Sequence, residues 1–536
     1  MLAQKISQEI VKILNNLDLE SNDLVLSIPS ESQFGDYSTN IALQQSKQQA
    51  KNIYQSPREI AKAIGDQLQT VGFISSVEVA GPGFINIKVD PKLWSEEVLN
   101  ILSLNHKFGT NQDFSKQKVQ VEFISANPTG PLTLANGRGG AIGDSLANIF
   151  EANGYQVERE YYVNDTGNQV RTLGESVLAA AGRIEAQDAH YQGGYVKELA
   201  EQFKEDLDLD PQTLGHKLAD YMFENQIKPA ISRLGIKFDN YFSERSLYPD
   251  QINQTVTLLE EKDLVYNQEG ALWFKSTQYG DDKDRVLMTS EQGRGRQEPT
   301  YFLADIAHHR IIHDQGVDLK INILGADHHS YAERFQAMMT ALYSPNWFQP
   351  IIMQLVRLYS QGQEVRMSKR AGTYVTLDEL LDEISADAVR WFFLMKSTNT
   401  HLDFDLDLAK KNSNDNPVYY VQYAHARMAN ILAKVESSDY QTDNLSYQHP
   451  KEIKLIKHLT NYPNLVQSIA KDYQVHHLTT YLTDLADTFH QFYEQCPVLN
   501  AEAEEIKLSR LALVRSAQIV ISNGLGLLGI SAPDRM

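Results

Sequence analysis

Residues 117–144 read QKVQVEFISANPTGPLTLANGRGGAIGD, and this stretch decides the fold. QKVQVEFIS (117–125) has the composition of a buried strand. ANPTGP comes next as a turn shaped by Pro and Gly. A helix then opens on small residues, LANGRGGAIGD, so a ligand can come close to the backbone. A helix start presents unpaired N–H groups and a positive dipole end, which suit phosphate. After the first strand of an open parallel sheet, such a turn is a usual place for a nucleotide. The plainer alternative is a strand–helix connection with packing glycines.

Outward from this stretch, strands and helices alternate. QVEREYYV (156–163) and KINILGAD (320–327) read as strands, YAERFQAMMTAL (331–342) as a helix, and IIMQLVRLYS (351–360) as a strand. That alternation predicts a Rossmann-like parallel-sheet α/β domain over 115–378. The interval 170–290 is richer in helix and reads as insertions. From 379 to 536 long helical stretches predict an all-α bundle. Residues 1–92 mix helices and strands into an α+β domain. There SPRE (56–59) opens a helix with Pro57 in its first turn, and VEVAGPGFINIKV (77–89) reads as two strands around a Gly-Pro-Gly turn.

The bulk numbers set limits. The chain has 536 residues, 42% hydrophobic and 22% charged, enough for several cores. A single cysteine, Cys496, excludes an internal disulfide and a multi-cysteine zinc site. The N-terminal stretch is amphipathic and carries Lys5, Glu9 and Lys12, unlike a secretory signal. No apolar run of about 18 residues appears, so a cytoplasmic protein is the expectation. The net charge of −20 is not the footprint of a nucleic-acid binder. It remains compatible with a local basic groove, which predicts unevenly spread Lys and Arg.

A second basic motif lies downstream of the same α/β region. VRMSKRAGT (365–373) puts Arg366, Lys369 and Arg370 in one loop, flanked by Gly362 and Gly372. Taken alone it reads equally as a solvated basic loop. Together, VEFISANPTGPL…GRGGAIGD and RMSKR resemble the two nucleotide-binding signatures of class I arginyl-tRNA synthetases. The family's His-x-Gly-His motif falls on Thr133, Ala135 and Asn136, so both signature histidines are replaced. Thr and Asn can donate hydrogen bonds to phosphate but carry no charge.

The resemblance implies roles residue by residue. Thr133, Asn136, Arg366, Lys369 and Arg370 would stabilise the phosphates as an adenylate forms. Ala126, Pro128, Thr129, Gly130, Gly137, Gly139, Gly325, Asp327, His328, Met367 and Ser368 would line the ATP site. Ser125 and Asn127 would hold the α-amino and carboxylate groups of L-arginine. Tyr301, Asp305, Glu244 and Asp165 would face its side chain, with Tyr162 and Asn164 at the pocket edge. An arginine pocket needs carboxylates opposite a planar guanidinium, ideally two-pronged. Tyr301 and Asp305, four apart, share one helix face. His328 and His329 read alternatively as a zinc pair, but neighbours on a strand point to opposite faces and no third ligand is near.

The end domains resemble the family's tRNA-binding parts. FGDYSTN (34–40) and GPGFIN (81–86) mark the first, with Phe34 and Asn40 as contacts. NPVYYVQYAHAR (416–427) marks the anticodon-binding bundle, with Tyr419, Tyr423 and Arg427 as contacts; the two tyrosines read alternatively as core. The implied activity is arginine–tRNA ligation by a monomer that uses ATP and Mg²⁺, with tRNA(Arg) as partner and no resident metal. Amino-acid activation would require bound tRNA. Two rivals stand beside it: another class I synthetase, and a tRNA-binding paralogue without activity.

Overall fold

The computed structural model describes residues 2–21, 24–29, 34–45, 54, 56–290, 297–365, 376–435 and 444–536. Its centre is a five-stranded parallel sheet. The spatial order is Phe348–Met353, Leu319–Gly325, Lys118–Glu122, Gln156–Val163 and Asn240–Ser243. Helix Leu134–Ala152 returns the chain from Lys118–Glu122 to Gln156–Val163. Its small residues let it lie close to the sheet. A Cβ on Gly143 would stand 2.2 Å from the Phe123 ring. The expectation of a Rossmann-like parallel-sheet α/β domain therefore holds.

The insertion contributes two units. Helices Asn168–Ala180, Gly194–Gln202 and Pro211–Met222 enclose a small core of Leu173, Val177, Leu214 and Leu218. A three-stranded antiparallel sheet, Val265–Gln268, Ala271–Phe274 and Arg285–Met288, packs elsewhere.

IIMQLVRLYS is not one strand. It breaks at Gln354 and Leu355, and Val356–Ser360 joins a second sheet with Gln363–Val365 and Leu402–Asp405. The break is fixed by Arg138, which is fully buried. Its guanidinium donates to the carbonyls of Gln354 (2.9 Å), Thr400 (3.2 Å) and Ser397 (2.9 Å). Leu402–Asp405 is a strand inside the region read as helical; its DFD alternation is too short to register as a pattern.

The N-terminal unit is a four-stranded antiparallel sheet. Helices Leu2–Asn16 and Pro57–Leu68 cover it with Ile6, Ile10, Ile60 and Ile64 inside. The anticipated hairpin forms between Ile74–Ala80 and Phe84–Val89. Ser56 caps the Pro57 helix through the Glu59 N–H. At the other end, helices Pro417–Leu432, Pro450–Asp472, His476–Gln495 and Glu504–Leu527 build the bundle. The two end units touch. Lys457 pairs with Asp36 at 2.7 Å, and Ser95 donates to the Leu445 carbonyl at 2.7 Å. Among the described residues no helix is long and apolar enough to cross a membrane.

Candidate active site

From Lys118–Glu122 the chain first builds outward on one side and later returns on the other. The switch point therefore lies between that strand and Leu319–Gly325, where open α/β sheets bind ligands. A cavity of about 1430 Å³ opens at the carboxyl ends of these strands.

The first turn forms one wall. Ile124 and Ser125 take φ of +67° and +37°, a conformation that costs energy for residues with a Cβ, most of all a β-branched one. It turns the Ser125 hydroxyl back to donate to Glu122 (3.2 Å) and accept from the Tyr162 N–H (3.1 Å). Ala126, Asn127, Thr129 and Gly130 line the cavity. Pro128 is buried behind the turn and does not.

Thr133 and Asn136 form a reciprocal cap on helix Leu134–Ala152. The Thr133 N–H donates to Asn136 Oδ1 at 2.9 Å, and Asn136 N–H to Thr133 Oγ1 at 3.4 Å. Both residues line the cavity, as does Gly139. Gly137 does not: a Cβ there would meet Leu377 at 2.8 Å and Phe393 at 2.9 Å, so it is a packing glycine. Arg366, Met367, Ser368, Lys369 and Arg370 lie outside the described residues. Downstream of them, the chain is anchored to the first motif. Thr376 bridges to Thr133, and the Leu377 N–H donates to the Leu132 carbonyl at 2.8 Å.

Glu244, on the turn after Asn240–Ser243, and Asp305, on helix Tyr301–Asp314, enter the same cavity with Tyr301. Thr300 starts that helix by accepting from the Leu303 N–H. Burial, with Asp305 and Asp165 nearby, pushes the Glu244 carboxyl up to about 7. Burial likewise raises Asp305 to about 6, against the Tyr331 hydroxyl that bonds to it. A cation placed between them would favour the ionised form of both. Asp165 is the exception among the expected pocket acids. Its carboxylate is taken by Ser243 Oγ (2.6 Å) and Arg245 Nε (2.9 Å), and it does not line the cavity. It braces the turn that carries Glu244.

Beneath the pocket lies a charged network that sequence reading missed. Lys320, fully buried, donates to Gln120, to Glu122 at 2.9 Å and to Glu160 at 3.3 Å. His308 Nε2 meets Glu160 at 2.8 Å. Burial opposes ionisation of Glu160, but His308 and Lys320 hold its carboxyl well below the usual range. The signal was present as polar residues at alternate positions of apolar strands: Gln120 and Glu122, Glu158 and Glu160, Lys320 and Asn322. Ligand atoms of Glu122, His308 and His309 lie within 4.8 Å of one another. The Lys320 ammonium already supplies the cation beside Glu122, so these groups do not need a metal.

Gly325, Asp327 and His328 form the far rim. His328 and His329 do not continue a strand as expected. Ala326–His328 is a single 3-10 turn and His329 begins helix His329–Leu342. Far from the cavity, Phe34 is exposed, and Asn40 precedes the short helix Ile41–Gln44. Tyr419 is half-buried and Tyr423 exposed, with rings stacked at 6.4 Å and Arg427 over Tyr423. The core reading of the two tyrosines is thereby overturned.

Three family descriptions cover the chain. "Arginyl tRNA synthetase N terminal domain" matches residues 1–89. "tRNA synthetases class I (R), catalytic domain" matches 97–430, and "DALR anticodon binding domain" matches 421–536. The chain is 42% identical to an arginine–tRNA ligase of Desulfitobacterium hafniense, over 96% of this chain and 94% of that one. It is 40% identical to one from Listeria welshimeri, over 100% and 98%. Among solved structures, the arginyl-tRNA synthetase of Thermus thermophilus superposes with a TM-score of 0.81 at 22% identity, covering 100% of both chains. With a parallel sheet, a switch-point cavity and these matches, the chain belongs to the arginyl-tRNA synthetase family.

Proposed function

We propose that this chain activates L-arginine with ATP and transfers it to the 3′ end of tRNA(Arg), releasing AMP and pyrophosphate. The observation that carries the reading is the pair Glu244 and Asp305, two carboxylates in one switch-point cavity. A guanidinium stays charged out of water and offers separate N–H groups to two acids. Ser125 and Asn127 stand at the α-amino and carboxylate end of such a substrate. Asn136, the helix start and the rim of Gly325, Asp327 and His328 line the remaining space, where ATP fits. Mg²⁺ enters with the ATP phosphates.

An arginine carboxylate oxygen attacks the α-phosphorus, and the bond to the bridging oxygen breaks as pyrophosphate leaves. The terminal ribose hydroxyl of the tRNA then attacks the carbonyl carbon, and AMP leaves. Catalysis rests on positioning and charge stabilisation. The chain acts as a monomer, as the family resemblance implies.

Aminoacylation of purified tRNA with each proteinogenic amino acid in turn tests the reading. Arginine alone should be charged. Better charging of another amino acid would replace the assignment, and tight tRNA binding with no charging would make the chain a binding paralogue.

A further inference from the structure

Asp305 is not a free acid in the pocket wall. The hydroxyl of Tyr331 donates to its Oδ2. Oδ1 carries no hydrogen bond among the described residues, and Asp305 lines the cavity. Tyr331 itself is packed between two rings. It lies in the first turn of helix His329–Leu342, its ring stacked on Phe335 (centroids 5.9 Å) and met edge-on by Phe302 (6.0 Å). Glu244 is held in a similar way, with the Tyr248 hydroxyl 3.4 Å from its Oε1.

We infer that Tyr331 is a positioning residue for arginine selection: by occupying Oδ2 it turns Oδ1 of Asp305 into the cavity as a single, aimed acceptor. The inference rests on the proposed charging of arginine. Its consequence is that the guanidinium is not gripped by a two-pronged fork on one acid. It meets one oxygen from each of two acids on different elements. A substrate cation must then present N–H groups in two directions at a set spacing, which an ammonium on a flexible stem does poorly. Tyr331 also keeps Asp305 ionised. A hydroxyl donated to a carboxylate favours its charged form.

The groups facing Asp305 come from every side. His308 and His309 lie on its own helix, Glu122 and Lys320 on the central strands, Glu244 and Tyr248 beyond strand Asn240–Ser243, and Tyr162 on its neighbour. Of these, Glu122 and, when ionised, Glu244 oppose ionisation, while His308 and Lys320 favour it alongside Tyr331. Removing the phenol therefore leaves burial and the neighbouring acids with less opposition.

Tyr331→Phe in the full-length enzyme tests this. KM for arginine should rise on the order of tenfold, the usual scale for losing a hydrogen bond to a charged group. KM for ATP should stay within about twofold. The acid limb of kcat/KM for arginine against pH should move upward, so that part of the loss is recovered at alkaline pH. In the double variant with Asp305→Asn, Tyr331→Phe should add little further loss. Equilibrium arginine binding by calorimetry follows the same comparison where turnover is too slow to measure. Unchanged arginine affinity, an unmoved acid limb, or additive losses in the double variant would each overturn the inference. Wild-type enzyme run alongside separates the two ideas: no arginine charging by it would defeat the functional reading instead.

Discussion

The hydroxyl of Thr133 lies 2.7 Å from Oδ1 of Asn136 and donates to it. The direction of that bond is forced. The Thr133 backbone N–H, which can only donate, reaches the same Oδ1 at 2.9 Å, so the asparagine oxygen must face the cap. The Asn136 amide nitrogen is then the atom left for the cavity, and Thr133 has already spent its proton.

Asn136→Asp separates the two jobs. It keeps the capping oxygen but exchanges two N–H donors for an anion beside the phosphates. Thermal stability should change by less than about 0.5 kcal/mol, while kcat/KM for ATP falls on the order of a hundredfold. Differential scanning calorimetry and steady-state aminoacylation measure the two quantities; a stable enzyme with normal ATP kinetics would remove Asn136 from the phosphate site. Restoring His at both positions probes the same point, since a large gain in rate would mean the site had been weakened.

The pocket acids give a pH signature. Glu244 near 7 and Asp305 near 6 bind protons more tightly in the fold than in the unfolded chain. Between the ordinary carboxylate range and these values the native state holds the extra protons, so stability of the ligand-free enzyme falls as pH rises from about 4 to 7. Glu244→Gln removes that penalty. It should stabilise the free enzyme at pH 8 by up to about 3 kcal/mol and abolish arginine charging. Melting curves at pH 5 and pH 8 decide it, because the gain should be confined to the higher pH.

Lys320→Met leaves Glu122 and Glu160 buried without their ammonium partner. Breaking one side of a buried charged network costs about 3–5 kcal/mol. Chemical denaturation should show that loss. A loss below about 1 kcal/mol would mean water replaces the ammonium.

Activation should also depend on the nucleic acid. Arginine-dependent exchange of pyrophosphate into ATP should be nearly absent without tRNA, as the family resemblance implies. Equal exchange rates with and without it would refute this dependence.

The turn and the parallel sheet were legible because they depend on local pattern, Pro and Gly placement and strand–helix alternation, whereas the acids Glu244 and Asp305 were singled out by the family resemblance, with only the Tyr301–Asp305 spacing of four adding a physical reason. The roles of Lys320, Asp165 and Gly137 were not legible. Lys320 meets Gln120 and Glu122 only because strand Leu319–Gly325 pairs beside Lys118–Glu122, far away in sequence, a register no local pattern encodes. Asp165 has the sequence setting of a pocket acid, but Arg245 and Ser243 hold it. Gly137 has the setting of a phosphate-loop glycine, but Leu377 and Phe393 fill the space where a ligand would lie.

The contact between Asp36 and Lys457 turns the molecule's two ends into a caliper. If the Phe34 surface and the Tyr419–Tyr423 surface both meet tRNA, as proposed, they are the jaws, and the ion pair ties together the units that carry them. A nucleic acid touching both would then be gauged for size as well as for the bases it shows.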